Sequence, residues 1–135
     1  MFGKNKGSAP QKSIDSLIGV GTRVEGNVIF TGGLRVDGEV RGNISSENGQ
    51  EGTLVISEKA SVEGAITVGH VVINGVVIGP VFAGESLELL PGARVTGDVE
   101  YFQIEMQQGA VIQGRLVHQT SASAKTVELK LASSN

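Results

Sequence analysis

The sequence predicts an all-β solenoid, a single β-helix of about six triangular turns, and three features of the chain point there. The first is strict alternation. In Leu34–Ile44 (LRVDGEVRGNI), Leu34, Val36, Gly38, Val40, Gly42 and Ile44 form one set and Arg35, Asp37, Glu39, Arg41 and Asn43 the other. Successive strand residues point to opposite faces, so the first set turns inward and the second meets water. The second feature is that glycines occupy the inward set, where a half-buried strand normally carries Val or Ile. A glycine there marks a corner between two short strands, at a point where a side chain is expected to strike the opposite wall of a narrow interior. The third feature is repetition.

The pattern small–x–aliphatic–x–Gly–x–aliphatic appears as Thr22–Val28 (TRVEGNV), Ala60–Ile66 (ASVEGAI), Ala93–Val99 (ARVTGDV) and Ala110–Leu116 (AVIQGRL). Val71–Val81 is a variant in which Val71, Ile73, Gly75, Val77, Gly79 and Val81 hold every second position, as in Leu34–Ile44. One glycine per unit gives Gly26, Gly42, Gly64, Gly79, Gly97 and Gly114, separated by 16, 22, 15, 18 and 17 residues. The long interval contains Ser45–Thr53 (SSENGQEGT), a loop insertion by composition. A repeat of about 17 residues holds three short strands, one turn of a triangular coil. One turn cannot bury its inward face alone, but a neighbour covers that face and pairs its backbone. Six turns at about 4.8 Å each make a rod roughly 30 Å long.

In chain order, Met1–Ser13 is polar, rich in Gly and Lys and without periodicity, and is expected to be disordered. Ile14–Val20 brings Ile14, Leu17, Ile18 and Val20 and reads as a short strand covering the first end of the core. The repeating domain is assigned to residues 14–116. Residues 117–135 are read as a tail that includes the low-complexity Ser121–Lys125. Val127–Leu131 (VELKL) alternates, which leaves an extra edge strand as the alternative there.

Composition fits one domain of 135 residues with small aliphatic side chains in its core, since aromatics are 4% and there is no Trp. Twenty glycines without a period of three, and only 3 prolines, exclude collagen. The absence of Cys removes disulfides and thiolate metal sites. No apolar run is long enough for a membrane-spanning helix, and the N-terminus lacks the apolar core of a signal peptide, so a soluble cytoplasmic protein is expected. The net charge of −3 divides into a basic start (Lys4, Lys6, Lys12) and an acidic body, in which residues 14–116 carry 6 basic and 13 acidic groups. An acidic body argues against a nucleic-acid groove.

No catalytic, cofactor or metal site is assigned. His70 and His118 have no His or Cys partner at metal spacing and are read as surface histidines. The glycines form no phosphate cradle followed by a helix, and no serine sits in a nucleophile elbow. The carboxylates Glu25, Asp37, Glu39, Glu63 and Asp98 fall on outward positions among Arg23, Arg35, Arg41 and Arg94, the pattern of a solvated face with cross-strand pairs.

With these repeats in place, Thr22–Ile44 (TRVEGNVIFTGGLRVDGEVRGNI), Ala60–Ile66 and the basic start Met-Phe-Gly-Lys resemble the bactofilins, bacterial cytoskeletal proteins. The resemblance implies a right-handed β-helix that polymerises end to end into filaments without nucleotide. It also implies a scaffold for cell-wall or morphogenesis proteins, tethered by its N-terminal tail to the cytoplasmic face of the inner membrane. Physics gives a reason for assembly, because a β-helix has two open ends of unpaired strand edges. The candidate contacts are Phe102, Ile104, Met106, Ile112 and Leu116 at the far end and Leu17, Ile18, Val20, Val28 and Phe30 at the near end. Met1, Phe2, Lys4 and Lys6 are candidates for membrane targeting. Val72, Val76, Ile78 and Phe82 break the polar outward pattern and form a candidate lateral patch, for bundling, for a client protein or for the C-terminal segment. The competing readings are a hexapeptide-repeat acyltransferase and a monomeric β-helix binding module. For the first, Ile56, Val62 and Val68 keep the six-residue step but the next lands on Asn74. For the second, the outward positions lack a regular array of one residue type.

Overall fold

Alternation and glycine corners together wind the chain into a coil. In the computed structural model, which describes residues 14–47 and 51–120, no helix forms among the described residues and every strand pairing is parallel. The first turn is β1 (Ser16–Ile18), β2 (Arg23–Glu25) and β3 (Val28–Phe30), and the second is β4 (Gly33–Val36), β5 (Glu39–Arg41) and β6 (Ile44–Ser46). The third begins with β7 (Thr53–Ile56) and β8 (Ser61–Glu63). From there the long strands β9 (Ile66–Ile73), β11 (Val81–Leu89) and β13 (Val99–Met106) each close one turn and open the next. Between them lie β10 (Val76–Ile78) and β12 (Arg94–Thr96), and the sixth turn ends with β14 (Val111–Gln113) and β15 (Leu116–His118). Three faces result. Face one stacks β1, β4, β7 and the second halves of β9, β11 and β13. Face two stacks β2, β5, β8, β10, β12 and β14. Face three stacks β3, β6, the first halves of β9, β11 and β13, and β15.

Register carries each inward residue onto its counterpart one turn along. On face two the column is Val24, Val40, Val62, Val77, Val95 and Ile112. Val40, Val62, Val77 and Val95 are no more than 1% exposed, as are Leu54, Ile56, Val71, Ile73, Leu87 and Leu89 on face one. Burying an aliphatic side chain stabilises by roughly 1.5–3 kcal/mol, and the columns make that burial continuous along the rod.

The glycine corners have a cause other than the opposite wall. Gly42, Gly64, Gly79, Gly97 and Gly114 lie in one column, and a Cβ on each would fall on the carbonyl of the glycine one turn before it. The obstacle is therefore the backbone of the adjoining turn, because parallel strands stack only about 4.8 Å apart. Gly64 also sits at φ +150, where side chains are strained. Gly26, in the first turn, would meet nothing within 4 Å. Just past this column the corner N–H groups need acceptors, and side chains of the preceding turn supply them. Asn43 N donates to Asn27 Oδ1 at 2.9 Å, Ala65 N to Asn43 Oδ1 at 2.9 Å, and Arg115 N to Asp98 Oδ1 at 3.0 Å.

Three further expectations are revised. β1 does not cover the end of the core; it is the first strand of face one, pairing Ser16 with Leu34 and Ile18 with Val36. The insertion is shorter than its composition suggests, because Ser45 and Ser46 belong to β6 and Thr53 to β7. β15 pairs Val117 with Glu100 and His118 with Tyr101, and Gln119 N donates to the Tyr101 carbonyl at 2.7 Å, so coil pairing continues beyond Leu116. The N-terminal segment Met1–Ser13 and Val127–Leu131 lie outside the described residues.

Candidate polymerisation surfaces

The core columns run to both ends of the rod, and among the described residues no element lies across either end. At the far end Ile104 and Ile112 are half-buried, and Met106 and Leu116 are each 47% exposed. The same columns one turn inward hold Leu87, Val95, Leu89 and Val99, all at most 1% exposed. Position in the stack, and not chemistry, makes the difference: these are core residues on which no further turn is stacked among the described residues. Phe102 is half-buried where β13 bends between faces three and one.

At the near end the sequence-predicted residues separate. Ile18 and Val28 are half-buried members of inward columns. Leu17 registers with the outward Arg35, and Leu17 and Val20 are 61% and 68% exposed, so Leu17 points sideways. Phe30 turns inward but is already 8% exposed, a large ring packed beside the small Ser46 of the next turn, so it fills the core and offers little to a partner. Val24, the half-buried centre of the first motif, belongs with Ile18 and Val28, and simple extension of the valine column identifies it. Ile29, at 66% exposure, is a further outward apolar residue.

His118 is exposed, as expected of a surface histidine, but for a different reason. It registers with Tyr101, which registers with Ala83 and through it with Val68, so His118 ends an inward column. The Tyr101 and His118 rings stack with centroids 5.4 Å apart and planes at 25°. His118 Nε2 lies 3.0 Å from the Phe102 carbonyl oxygen. No sequence motif marks this residue; only counting register from Val68 finds it. His70 sits at the corner between faces three and one, with Nδ1 2.9 Å from Ser86 Oγ.

The apolar side chains of the fourth turn do not form one patch. Val72 lies on face one, Val76 and Ile78 on face two and Phe82 on face three, a belt around the rod. On face one a shallow groove of about 450 Å³ joins Val20, Val55, Val72 and Leu90 to the polar Arg35 and Lys59.

The outward charges pair both along a strand and between turns. Arg23 Nε lies 3.2 Å from Glu25 on its own strand and Arg23 Nη1 only 3.9 Å from Glu39 across the ladder. Arg35 pairs with Asp37 at 2.9 Å and Arg115 with Asp98 at 3.3 Å. Arg94 instead donates to the carbonyls of Ala93 at 2.8 Å and Gly109 at 3.0 Å. The backbone N–H of Arg115, followed by its guanidinium, holds the Asp98 carboxyl below its ordinary range. Hydrogen bonds from Ser57 and then Arg35 do the same for Asp37. Among the described residues no group of three or more His, Cys, Asp or Glu is placed to hold a metal ion, and no helix is long and apolar enough to cross a membrane.

Comparison with known proteins places this coil. The family model for bactofilin, described as polymer-forming cytoskeletal, matches residues 16–117. Bactofilin BacP of Myxococcus xanthus (strain DK1622) is 29% identical over 111 residues, 80% of this chain and 46% of BacP. Bactofilin BacO of the same organism is 28% identical over 102 residues, 76% of this chain and 78% of BacO. The chain thus spans about half the length of BacP. No solved structure matches it. The matched segment opens at the first residue of β1 and closes inside β15, so the unit the family shares is the full stack of turns, and the chain belongs to the bactofilins, a family of polymer-forming cytoskeletal proteins.

Proposed function

We propose that the protein assembles end to end into filaments without nucleotide, with the sixth turn of one copy seated on a terminal turn of another. The observation that carries this reading is the pair Met106 and Leu116, each 47% exposed at the end of columns whose interior members are buried. A second copy laid on that end continues the core and pairs the strand edges of β13, β14 and β15, combining apolar burial with backbone hydrogen bonds. Met106→Arg places a charge on this surface. Sedimentation and negative-stain electron microscopy of the purified protein should then show short oligomers in place of filaments. Full-length filaments from both Met106→Arg and Phe102→Arg would refute the assignment.

We further assign the filament to the cytoplasmic face of the inner membrane, held by Met1, Phe2, Lys4 and Lys6, which lie outside the described residues. Two large apolar side chains and neighbouring lysines bind anionic lipid weakly as a monomer, and a filament presenting many copies gains avidity. Liposome co-sedimentation with and without residues 1–8 tests it, and equal pelleting rejects the tether. The side walls, including the groove along face one, remain free in an end-to-end filament and suit recruitment of cell-wall or morphogenesis proteins. This role is structural: the reading assigns no cofactor, no nucleic acid and no catalytic group.

A further inference from the structure

The inward residues of the six turns are almost all apolar. Among the described residues the polar exceptions include Ser16, Ser46, Tyr101 and His118, with Thr53 buried at a corner, and of these only His118 belongs to a residue type that gains and loses charge between pH 5 and 8. It also occupies the last turn, in the ring formed with Ile104, Met106, Ile112 and Leu116. We propose that the far end of the rod is a proton-gated contact: neutral His118 admits a second copy onto the sixth turn, and the imidazolium excludes it. The inference rests on the end-to-end reading above.

The geometry assigns the protons. The Phe102 carbonyl can only accept, so His118 Nε2, 3.0 Å away, carries the hydrogen of the neutral ring. Protonation then occurs at Nδ1 and spreads a full charge over a ring stacked on Tyr101. On a free end water solvates that charge. Under a docked copy it would be covered, with four apolar side chains and a tyrosine beside it. The charged groups of the elements packed nearby do not reach inward. Glu100 and Glu105 of β13 hold outward positions, and Glu100 accepts from Gln119 Nε2 at 3.3 Å. Arg115, just before β15, pairs with Asp98. An unpaired charge buried in such a place is strongly unfavourable. Because protons bind the free end and not the joined one, acid shifts the equilibrium toward free ends.

The test is the critical concentration for polymerisation, measured by sedimentation with microscopy to separate filaments from amorphous precipitate, at about pH 8 and about pH 5.5. The wild type should show a rise of about tenfold on acidification. His118→Gln, neutral throughout, should lose most of that rise, and His118→Lys should fail to polymerise at either pH. His70→Gln should behave as the wild type. Circular dichroism of each variant confirms the fold. An undiminished rise in folded His118→Gln, or normal filaments from His118→Lys at pH 8, overturns the gate. If Met106→Arg blocks filaments while His118→Gln keeps the full rise, the gate alone fails. If Met106→Arg and Phe102→Arg both give full-length filaments, the end-to-end reading fails with it.

Discussion

Gly64→Ala and Gly26→Ala are the same substitution at equivalent corners, and the stack makes their consequences differ. Both glycines have positive φ, +150 and +134. An alanine in such a region is strained by about 1–3 kcal/mol, offset by roughly 0.4–1 kcal/mol because alanine restricts the unfolded chain. That much the two sites share. At Gly26 the new Cβ meets nothing within 4 Å, so the effect ends there. At Gly64 it falls on the carbonyl of Gly42, which is backbone fixed by its own turn and cannot rotate away. The two turns must separate locally, lengthening ladder hydrogen bonds, and overpacking of this kind adds about 1–3 kcal/mol. For a folded unit of this size each kcal/mol lowers the melting temperature by about 4–8 °C. Gly64→Ala should therefore melt roughly 5–20 °C below Gly26→Ala. The assay is a far-ultraviolet circular dichroism melt, with both substitutions made in a Met106→Arg background so that filament formation does not contribute to stability. Coincident melts would refute the claim that the glycine column exists to let turns approach, and would leave backbone conformation as its whole reason.

Other substitutions test other layers of the coil in the same background. Ile66→Ala, at a site 1% exposed, should lose about 2–5 kcal/mol in urea unfolding. Ile104→Ala, half-buried at the open end, should lose less than half as much. Asn43→Ala removes the acceptor for Ala65 N and should lose about 1 kcal/mol. Asp98→Ala should be destabilising at neutral pH, with a gap that closes in acid. The folded Asp98 carboxyl is held below its ordinary value of 3.8, so its contribution is complete above that pH and is lost as pH falls through the lower folded value. Thermal melts of wild type and variant from pH 7 to pH 2 check the sign.

The turns were legible because the coil writes itself into the sequence twice. Val40, Val62, Val77 and Val95 repeat at the same intervals as Gly42, Gly64, Gly79 and Gly97, and burial of the first set requires the close stacking that the second permits. The irregular interval between Gly42 and Gly64 fell correctly on the insertion after β6. The contact behind each glycine was not legible. Alternation says that Gly42 points away from solvent, but it holds no information on whether the obstacle lies across the coil or along its axis. The end residues suffered from the same limit. Leu17 and Ile18 are equally apolar, and only pairing with Arg35 and Val36 shows that one faces outward and the other in. Val72, Val76, Ile78 and Phe82 sit within one turn in sequence and on three faces in space, because two corners intervene.

Stacking also explains why the two ends are unequal. An interior turn is constrained from both sides: its glycine must admit the turn above, and its core residues must fit the columns below. A terminal turn is released from one of these demands. Phe30, in the first turn, uses the release to bring a large ring into the core beside Ser46, and it is nearly buried there. The sixth turn uses it differently, carrying Met106, Leu116 and His118 in columns where the interior turns place Leu89, Val99 and Tyr101. The far end therefore keeps exposed apolar surface that the near end partly folds away, while the near end turns its large apolar side chains Leu17, Val20 and Ile29 outward from the axis. Two ends built so differently offer different surfaces to a second copy, and charge substitutions at Ile18 and at Met106 separate their contributions: the larger loss of filament mass should follow Met106→Arg, where more core lies open.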